Sequence, residues 1–287
     1  MDEKDFPALY RSADDLSLES QRKFLLALKL HLVLLVMAAV LSVADVKHWI
    51  VAVLQLLSLL GALFCSIYLF SRRPDRYWYA GRAVAESIKT ITWRYVCRAE
   101  PFQTNDVVAK NEFRLKLKAI VEQNKDVAQA LTSYLDAPQI TAVMKEMRSR
   151  GLEDRKKTYA KDRIGNQLTW YAKKASSNRK ASDFFFWSLI VVNGIAVICA
   201  VLRIRFLEFQ SWPTDVFVAA AASILSWMQA KRFSELASSY ALAAHEIGLI
   251  REHSLQAESD KEFSQFVGDA ENAFSREHTQ WVARQDA

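Results

Sequence analysis

Small and polar side chains recur inside apolar stretches of the sequence, where a polar group must find a partner or line a water-filled path. Ser58, Ala62 and Ser66 are spaced four residues apart, so on a helix they share one face that a neighbouring backbone can approach closely. Other apolar stretches carry Asn193, Ser223 and Ser226. Two interpretations stay open: tight helix packing on this face, or a polar path lined by all six residues when several subunits assemble around an axis.

Residue patterns typical of catalysis do not occur in the sequence. It contains no Walker loop, GxGxxG or GxSxG motif, and His245-Glu246 lacks the second histidine that a zinc protease requires. Cys65, Cys97 and Cys199 show no paired spacing, and the carboxylates form no short acidic cluster. We expect no enzymatic activity, no metal site, no cofactor and a reducing compartment. A membrane-anchored enzyme acting on lipid or nucleotide would need a polar cluster near the interface, which the sequence lacks.

Composition favours a helical membrane protein. The sequence is 51% hydrophobic and 24% charged, and the two kinds of residue are segregated along the chain. Gly and Pro are few, at 7 and 5 residues, and strand-like alternation is rare. The formal net charge of +6 could indicate nucleic-acid binding, but the basic residues cluster where the apolar runs end. Membrane topology explains the charge more simply, so we expect no direct nucleic-acid binding.

Four apolar segments, 24–44, 49–70, 184–202 and 212–230, predict transmembrane helices in two hairpins. The second segment carries no charge and as a helix reaches roughly 33 Å, about the thickness of the hydrocarbon core. In the first segment, Lys29 and His31 must snorkel to the interface or face protein. The fourth segment is the weakest, because Pro213 and Asp215 lie at its beginning. The alternative is a soluble protein with buried helical hairpins.

Basic residues predict the orientation of these hairpins. Lysines and arginines are concentrated on the termini-side ends of the segments, whereas the two hairpin loops offer only Lys47, Arg203 and Arg205. The loops should therefore face the exterior. We expect a multi-pass protein of the cell inner membrane, with both termini and a helical bundle in the cytoplasm. The fold class is thus an all-α membrane protein.

An internal repeat relates the two hairpins. A shift of about 160 residues places Phe24 on Phe184, Ser66 on Ser226 and Glu86 on Glu246. Each copy consists of a basic helix, a hairpin, an arginine and an amphipathic exit helix, predicted at 77–96 and 233–253. We divide the chain into a first two-transmembrane module at 1–100, a cytoplasmic helical linker region at 101–160 and a second module at 161–287.

The linker region is expected to be helical as well. A break at Pro101 and a helix start at Thr104–Asp106 precede a charged stretch that predicts one helix over 107–135. A further helix should end near Gly151. From Leu152 onward, a basic helix should run directly into the third membrane segment, and such continuity could transmit cytoplasmic motion to the membrane.

The exit helices carry a family resemblance. Residues 82–95, RAVAESIKTITWRY, follow a membrane hairpin and resemble the SLATT family, two-transmembrane effectors associated with nucleotide-sensing bacterial immunity. Trp78 and Arg94 fit that pattern. Residues 232–246, RFSELASSYALAAHE, look like the same segment of a second SLATT unit, so the resemblance covers most of the chain.

The resemblance implies a function and a partner. Such proteins sit beside a nucleotide-synthesising or nucleotide-sensing protein and act as pore-forming effectors that halt an infected cell. By that analogy Glu86, Trp93, Arg94 and Glu246 would couple a signal to the hairpins, while a structural role in the bundle is equally open. The leading hypothesis is a homo-oligomeric effector of anti-phage defence in the lipid bilayer. The alternative is a constitutive ion channel or membrane scaffold unrelated to defence.

Overall fold

The structure, a computed structural model, describes residues 1–44, 48–206, 208 and 211–283, with side chains described as far as residue 275. Every regular element in these ranges is helical. A 3₁₀ turn at Glu3–Asp5 precedes the helices α1 Ala8–Val43, α2 Trp49–Arg72, α3 Pro74–Val96, α4 Asp106–Gln123, α5 Lys125–Ala128, α6 Ala142–Ser149, α7 Leu152–Thr158, α8 Asn166–Arg205, α9 Thr214–Lys231, α10 Phe233–His253 and α11 Asp260–Ala283. A π-helical segment, Tyr159–Gly165, joins α7 to α8, which confirms the predicted continuity from Leu152 into the third apolar segment.

The chain divides into two compact units. The core unit consists of Met1–Gln21, Asp75–Ala172 and Leu242–Ala287, and the hairpin unit of Arg22–Pro74 and Lys173–Ala241. Helices α1, α8 and α10 contribute residues to both units, and α3 contributes only Pro74 to the hairpin unit. The module boundaries expected near residues 100 and 160 stay a prediction.

Three of the described helices are long and apolar enough to cross a membrane: Ala8–Val43, Trp49–Arg72 and Leu152–Arg205. The predicted segments 24–44, 49–70 and 184–202 lie within them. The fourth segment forms a helix too, α9, but its 18 residues include Asp215 and Lys231 and it is not among the three. Four spans and a cytoplasmic bundle therefore stay predictions.

Both hairpins end in the same unusual way. Arg73 after α2 and Arg232 after α9 adopt left-handed backbone conformations, with φ of 43° and 48°. Their N–H groups donate to Leu69 O at 3.2 Å and to Met228 O at 2.8 Å. This helix ending usually carries glycine, because other residues are strained there. The two caps lie 159 residues apart, whereas the shift of 160 residues pairs Arg72 with Arg232, so the caps are one residue out of register with that shift.

The linker region differs from the sequence prediction. The helix expected over 107–135 ends at Gln123, because Asn124 leaves the helical conformation and its side-chain amide donates to Ile120 O at 2.8 Å. After the single turn of α5, non-helical turns run to Thr141, whose hydroxyl caps α6. The predicted helix start was correct: the Asn105 side chain caps α4.

Aromatic side chains form the centre of the core unit. Tyr95, Phe102 and Phe113 pack with ring centroids 4.7 to 5.9 Å apart. Tyr159 lies edge-on to Trp93 and to Phe263. Each of these six side chains is at most 2% exposed. Rings of this size bury enough apolar area to organise a small helical core.

Candidate functional site

The small face of α2 packs within its own hairpin. Ser58 and Ala62 are 5% and 3% exposed, and Ala38 of α1 is similarly buried at 4%. A Cβ atom added to Gly61 would lie 2.9 Å from Leu34 Cδ1, which shows how closely α1 approaches. This geometry agrees with the packing interpretation of the face. Pore lining by these residues stays a prediction.

A histidine of the first apolar segment contacts this face. His31 Nδ1 lies 3.0 Å from Ala62 O and 3.3 Å from Ser66 Oγ. Because a carbonyl oxygen only accepts, Nδ1 carries the proton of the first bond. Ser66 Oγ also donates to Ala62 O at 3.2 Å. Of the two alternatives for His31, snorkelling to the interface or facing protein, the structure shows the second, and the bond links α1 to α2.

The second hairpin presents its polar groups differently. Asn193, near the middle of the apolar part of α8, is exposed, and its amide donates to Leu189 O one turn earlier at 2.9 Å. No other hydrogen bond to this amide occurs within the part of the chain that the structure describes. On α9, Ser226 is exposed and Ser223 half-buried. These polar groups are available on the surface of a single copy, unlike Ser58.

The exit helix α3 carries an ion pair between a buried carboxylate and a partly exposed guanidinium. Glu86 is 5% exposed and accepts from Arg82 at 2.8 Å, and Asp14 of α1 lies 3.7 Å from the same guanidinium. Burial raises the pKa of Asp14, against the opposing effect of Arg82. The helices approach closely here, since a Cβ atom on Gly81 would lie 3.2 Å from Ala13 O and from the Ser17 amide nitrogen.

The other predicted coupling residues of α3 also lie in the core unit. Trp93 is 1% exposed, with its ring edge-on to Phe6 and Tyr159. Arg94 donates to Gly268 O at 3.0 Å and to Asn272 Oδ1 at 2.7 Å, both on α11. Glu246 of α10, in contrast, is exposed. The structure therefore places Glu86, Trp93 and Arg94 in one folded core, and a role in signal coupling stays a prediction.

A fully buried ion pair was not found from the sequence. Arg163 and Glu271, 1% and 0% exposed, form a bidentate pair at 2.8 and 2.7 Å, and the Tyr159 hydroxyl donates to the same carboxylate at 3.0 Å. Burial lowers the pKa of Arg163, but the Glu271 carboxylate more than offsets this and raises it overall. The partners are 108 residues apart, so no local pattern in the sequence signals them.

Arg148 is a second buried cation that sequence reasoning missed. Its guanidinium donates to the carbonyl oxygens of Tyr95, Phe102 and Thr104 at 2.7 to 3.1 Å and to Asp106 Oδ1 at 2.9 Å. It thereby satisfies the carbonyls left open where α3 ends and the chain turns toward α4. Burial lowers the pKa of Arg148, while Asp106 opposes that effect.

The absence of a metal site stays an expectation. Among the described residues, no group of three or more His, Cys, Asp or Glu side chains is placed to hold a metal ion. Cys97 is buried, and burial raises the pKa of its thiol, which disfavours the reactive thiolate. The absence of catalysis and of a cofactor stays an expectation.

Comparison with known protein families covers nearly the whole chain. Residues 7–156 match the SMODS and SLOG-associating 2TM effector domain 3, and residues 159–281 match the SMODS and SLOG-associating 2TM effector domain 1. No curated protein and no solved structure matches the chain. The first match alone spans just over half of the chain, and the second places another 2TM domain directly behind it. The chain is therefore a membrane protein of the SLATT family, with two of the family's effector domains in tandem.

Proposed function

We propose that the protein is a homo-oligomeric membrane effector of bacterial anti-phage defence, which forms or opens a pore when a nucleotide-linked sensor protein signals to it. The family supports the effector role. The pore rests on one observation: the second hairpin exposes Asn193 and Ser226 within the predominantly apolar segments 184–202 and 212–230. In this proposal the chain acts without catalysis.

The topology needed for this function has four spans. Helix α9 is the proposed fourth span, with Asp215 in its first turn at the membrane interface. Both hairpin loops face the exterior, and both termini lie in the cytoplasm, as the distribution of basic residues predicts. Of the loop cations, Arg203 and Arg205 end α8, while Lys47 lies outside the described residues.

An exposed amide at the level of the hydrocarbon core is costly unless it gains a partner. The bond from Asn193 to its own backbone uses only one of the hydrogen-bonding groups of the side chain. Assembly of several copies would give the remaining groups either a neighbouring helix or a column of water. The packed face of α2 would then support the hairpin rather than contact the permeating species.

Ion efflux from liposomes tests the pore directly. Purified full-length protein is reconstituted with entrapped potassium together with the proteins encoded by its neighbouring genes, and efflux is followed for the wild type and for Asn193→Leu. We expect the leucine variant to lose most of the efflux, because it removes the only amide of this helix segment that is proposed to contact water. Val197→Leu, four residues away and also exposed, is the matched control and should keep wild-type efflux. Equal efflux for Asn193→Leu and the wild type would contradict the proposal.

Membrane potential in infected cells tests the link to defence. The chain is expressed with its neighbouring genes, and a potential-sensitive dye is followed during phage infection. We expect depolarisation to coincide with growth arrest, and to be absent for Asn193→Leu. Growth arrest with an unchanged potential would contradict a pore. Efflux from liposomes that contain this protein without any partner, together with depolarisation of uninfected cells, would favour the alternative, a constitutive channel.

A further inference from the structure

The core unit contains a groove to which neither the family nor the proposed pore assigns a role. It lies between α4 and the segment 138–140, with a volume of about 750 Å³. Leu117 and Ile140, 5% and 9% exposed, lie at its base together with Val121. This volume is in the range of small-molecule sites, which are also largely apolar.

Cations surround this apolar base. Lys110, Arg114 and Lys118 lie on one face of α4, four residues apart, and Lys145 of α6 lines the groove as well. The described residues that line the groove include no carboxylate. Lys118 pairs with Glu122 at 3.6 Å, whereas Lys110, Arg114 and Lys145 have no ion pair within the described part of the chain. The groove therefore offers uncompensated positive charge beside apolar surface.

The wall formed by residues 138–140 is held in place by the N-terminal segment. The Gln139 side-chain oxygen accepts from the Leu9 amide at 3.1 Å, and Pro138 O accepts from the Ala8 amide at 3.3 Å. Next to this wall, the Thr141 hydroxyl donates to Asp5 O at 2.7 Å. These bonds order the wall without any ligand, so binding would pay little conformational entropy.

We propose that this groove binds a small molecule that carries phosphate groups on an apolar or planar body. Lys and Arg side chains are suited to phosphate, and an apolar base is suited to the body. At 1.5 Å per residue, the three cations of α4 span about 12 Å, which fits phosphate groups held apart by a body. A peptide or a nucleic acid would need a longer track of cations.

The site lies entirely in the core unit, and the proposal goes beyond the pore. Binding of a ligand here neither requires nor implies conduction through the hairpins. The two proposals can consequently fail separately: binding is measured by calorimetry on the detergent-solubilised full chain, and conduction by efflux from liposomes.

Titration with adenosine 3′,5′-bisphosphate tests the groove. Its two phosphate groups are held apart by the ribose that carries the planar adenine, whereas adenosine lacks the phosphate charge and pyrophosphate lacks the apolar body. We expect the bisphosphate to bind more tightly than either, and its affinity to fall as salt is raised. Arg114→Gln should weaken binding about tenfold, the effect of losing one hydrogen bond to a charged group. Lys116→Gln is the matched control, because Lys116 lies on α4 outside the groove and pairs with Glu112 at 3.9 Å.

Several results would overturn the proposal. They are an absence of binding by the bisphosphate, equal affinity of the wild type and Arg114→Gln, and equal weakening by Lys116→Gln. Tighter binding of dioctanoyl phosphatidylglycerol than of the bisphosphate would assign the groove to a lipid headgroup instead. Circular dichroism of both variants checks that their helices are intact. Because both side chains are exposed, neither substitution should unfold the chain, so a loss of binding would not be due to unfolding.

Discussion

The two exit helices, α3 and α10, follow the two hairpins after the same arginine cap but differ in their surroundings. Helix α3 is deeply buried along much of its length, including Val84, Glu86, Ile88 and Trp93 at 0% to 5% exposed. Helix α10 buries mainly Phe233, Ala237, Ala243 and Ile247. It leaves Leu242 and Leu249 exposed at 62% and 64%.

The difference is clearest at positions related by the repeat. Glu86 is buried and paired, while its counterpart Glu246 is exposed. Lys89 is half-buried, while its counterpart Leu249 is 64% exposed. Two copies of one module have thus been used differently: the first exit helix organises the folded core, and the second leaves an apolar face free. In the proposed homo-oligomer, that face is available for a contact between copies.

Trp93→Ala should have the largest effect on stability. Trp93 is 1% exposed, and truncation of a buried large aromatic side chain costs about 3 to 5 kcal/mol. Its counterpart in the repeat, His253, is exposed, so His253→Ala should change the free energy of unfolding by less than about 0.5 kcal/mol. Thermal unfolding in detergent, followed by circular dichroism, measures both. Equal destabilisation would contradict the difference between the exit helices.

Glu86→Ala should come next. The substitution removes the carboxylate that lies 2.8 Å from the partly buried guanidinium of Arg82. We expect the free energy of unfolding to fall by about 2 to 3 kcal/mol. Glu246→Ala is the matched control and should stay within about 0.5 kcal/mol of the wild type. If Glu86→Ala matched its control, the buried carboxylate would not contribute to the stability of the core.

The sequence allowed the helices and the membrane character to be predicted, because length and apolarity are local properties. The apolar helical segments 24–44, 49–70 and 184–202 and the arginine that follows each hairpin are examples. It did not reveal which exit helix is buried, because Glu86 and Glu246 occur in similar helical contexts. The pairing of Arg163 with Glu271 depends on packing between distant segments. The spacing of Lys110, Arg114 and Lys118 already places these cations on one helix face. That residues 138–140 form the other wall of the groove could be learned only from the fold.

A comparison of two helical glycines isolates the close approach of α3 to its neighbour. Replacing a helical glycine by alanine normally stabilises by about 0.5 to 1 kcal/mol. Gly248→Ala in α10 should show this gain, because nothing lies within 4 Å of the added Cβ atom. Gly81→Ala should instead lower the free energy of unfolding by about 1 kcal/mol, because the added Cβ atom would lie 3.2 Å from backbone atoms of α1. A gain at both positions, measured by thermal unfolding, would show that α1 can move aside at no cost.

The smallest effect concerns pH and Lys89. Burial lowers the pKa of Lys89, against the opposing effect of Glu86. The other charged groups acting on it are Arg163, Arg82 and Asp14. A lysine whose pKa is lower in the folded chain destabilises the fold at pH values below that folded pKa, and the penalty disappears as the pH rises to the unfolded pKa of about 10.4. Lys89→Met should therefore raise the melting temperature slightly at neutral pH.

The sign of the pH dependence separates this effect from simple packing. The advantage of Lys89→Met over the wild type should shrink as the pH is raised from 7 toward 10, because the unfolded lysine also loses its charge there. Lys125→Met, at an exposed position of α5, should give a difference that does not change with pH. If the gain in melting temperature of Lys89→Met stayed constant over this range, it would come from added apolar contact and not from removal of the buried charge. The buried charge would then not account for the difference between Lys89 and the exposed Leu249 of the second exit helix.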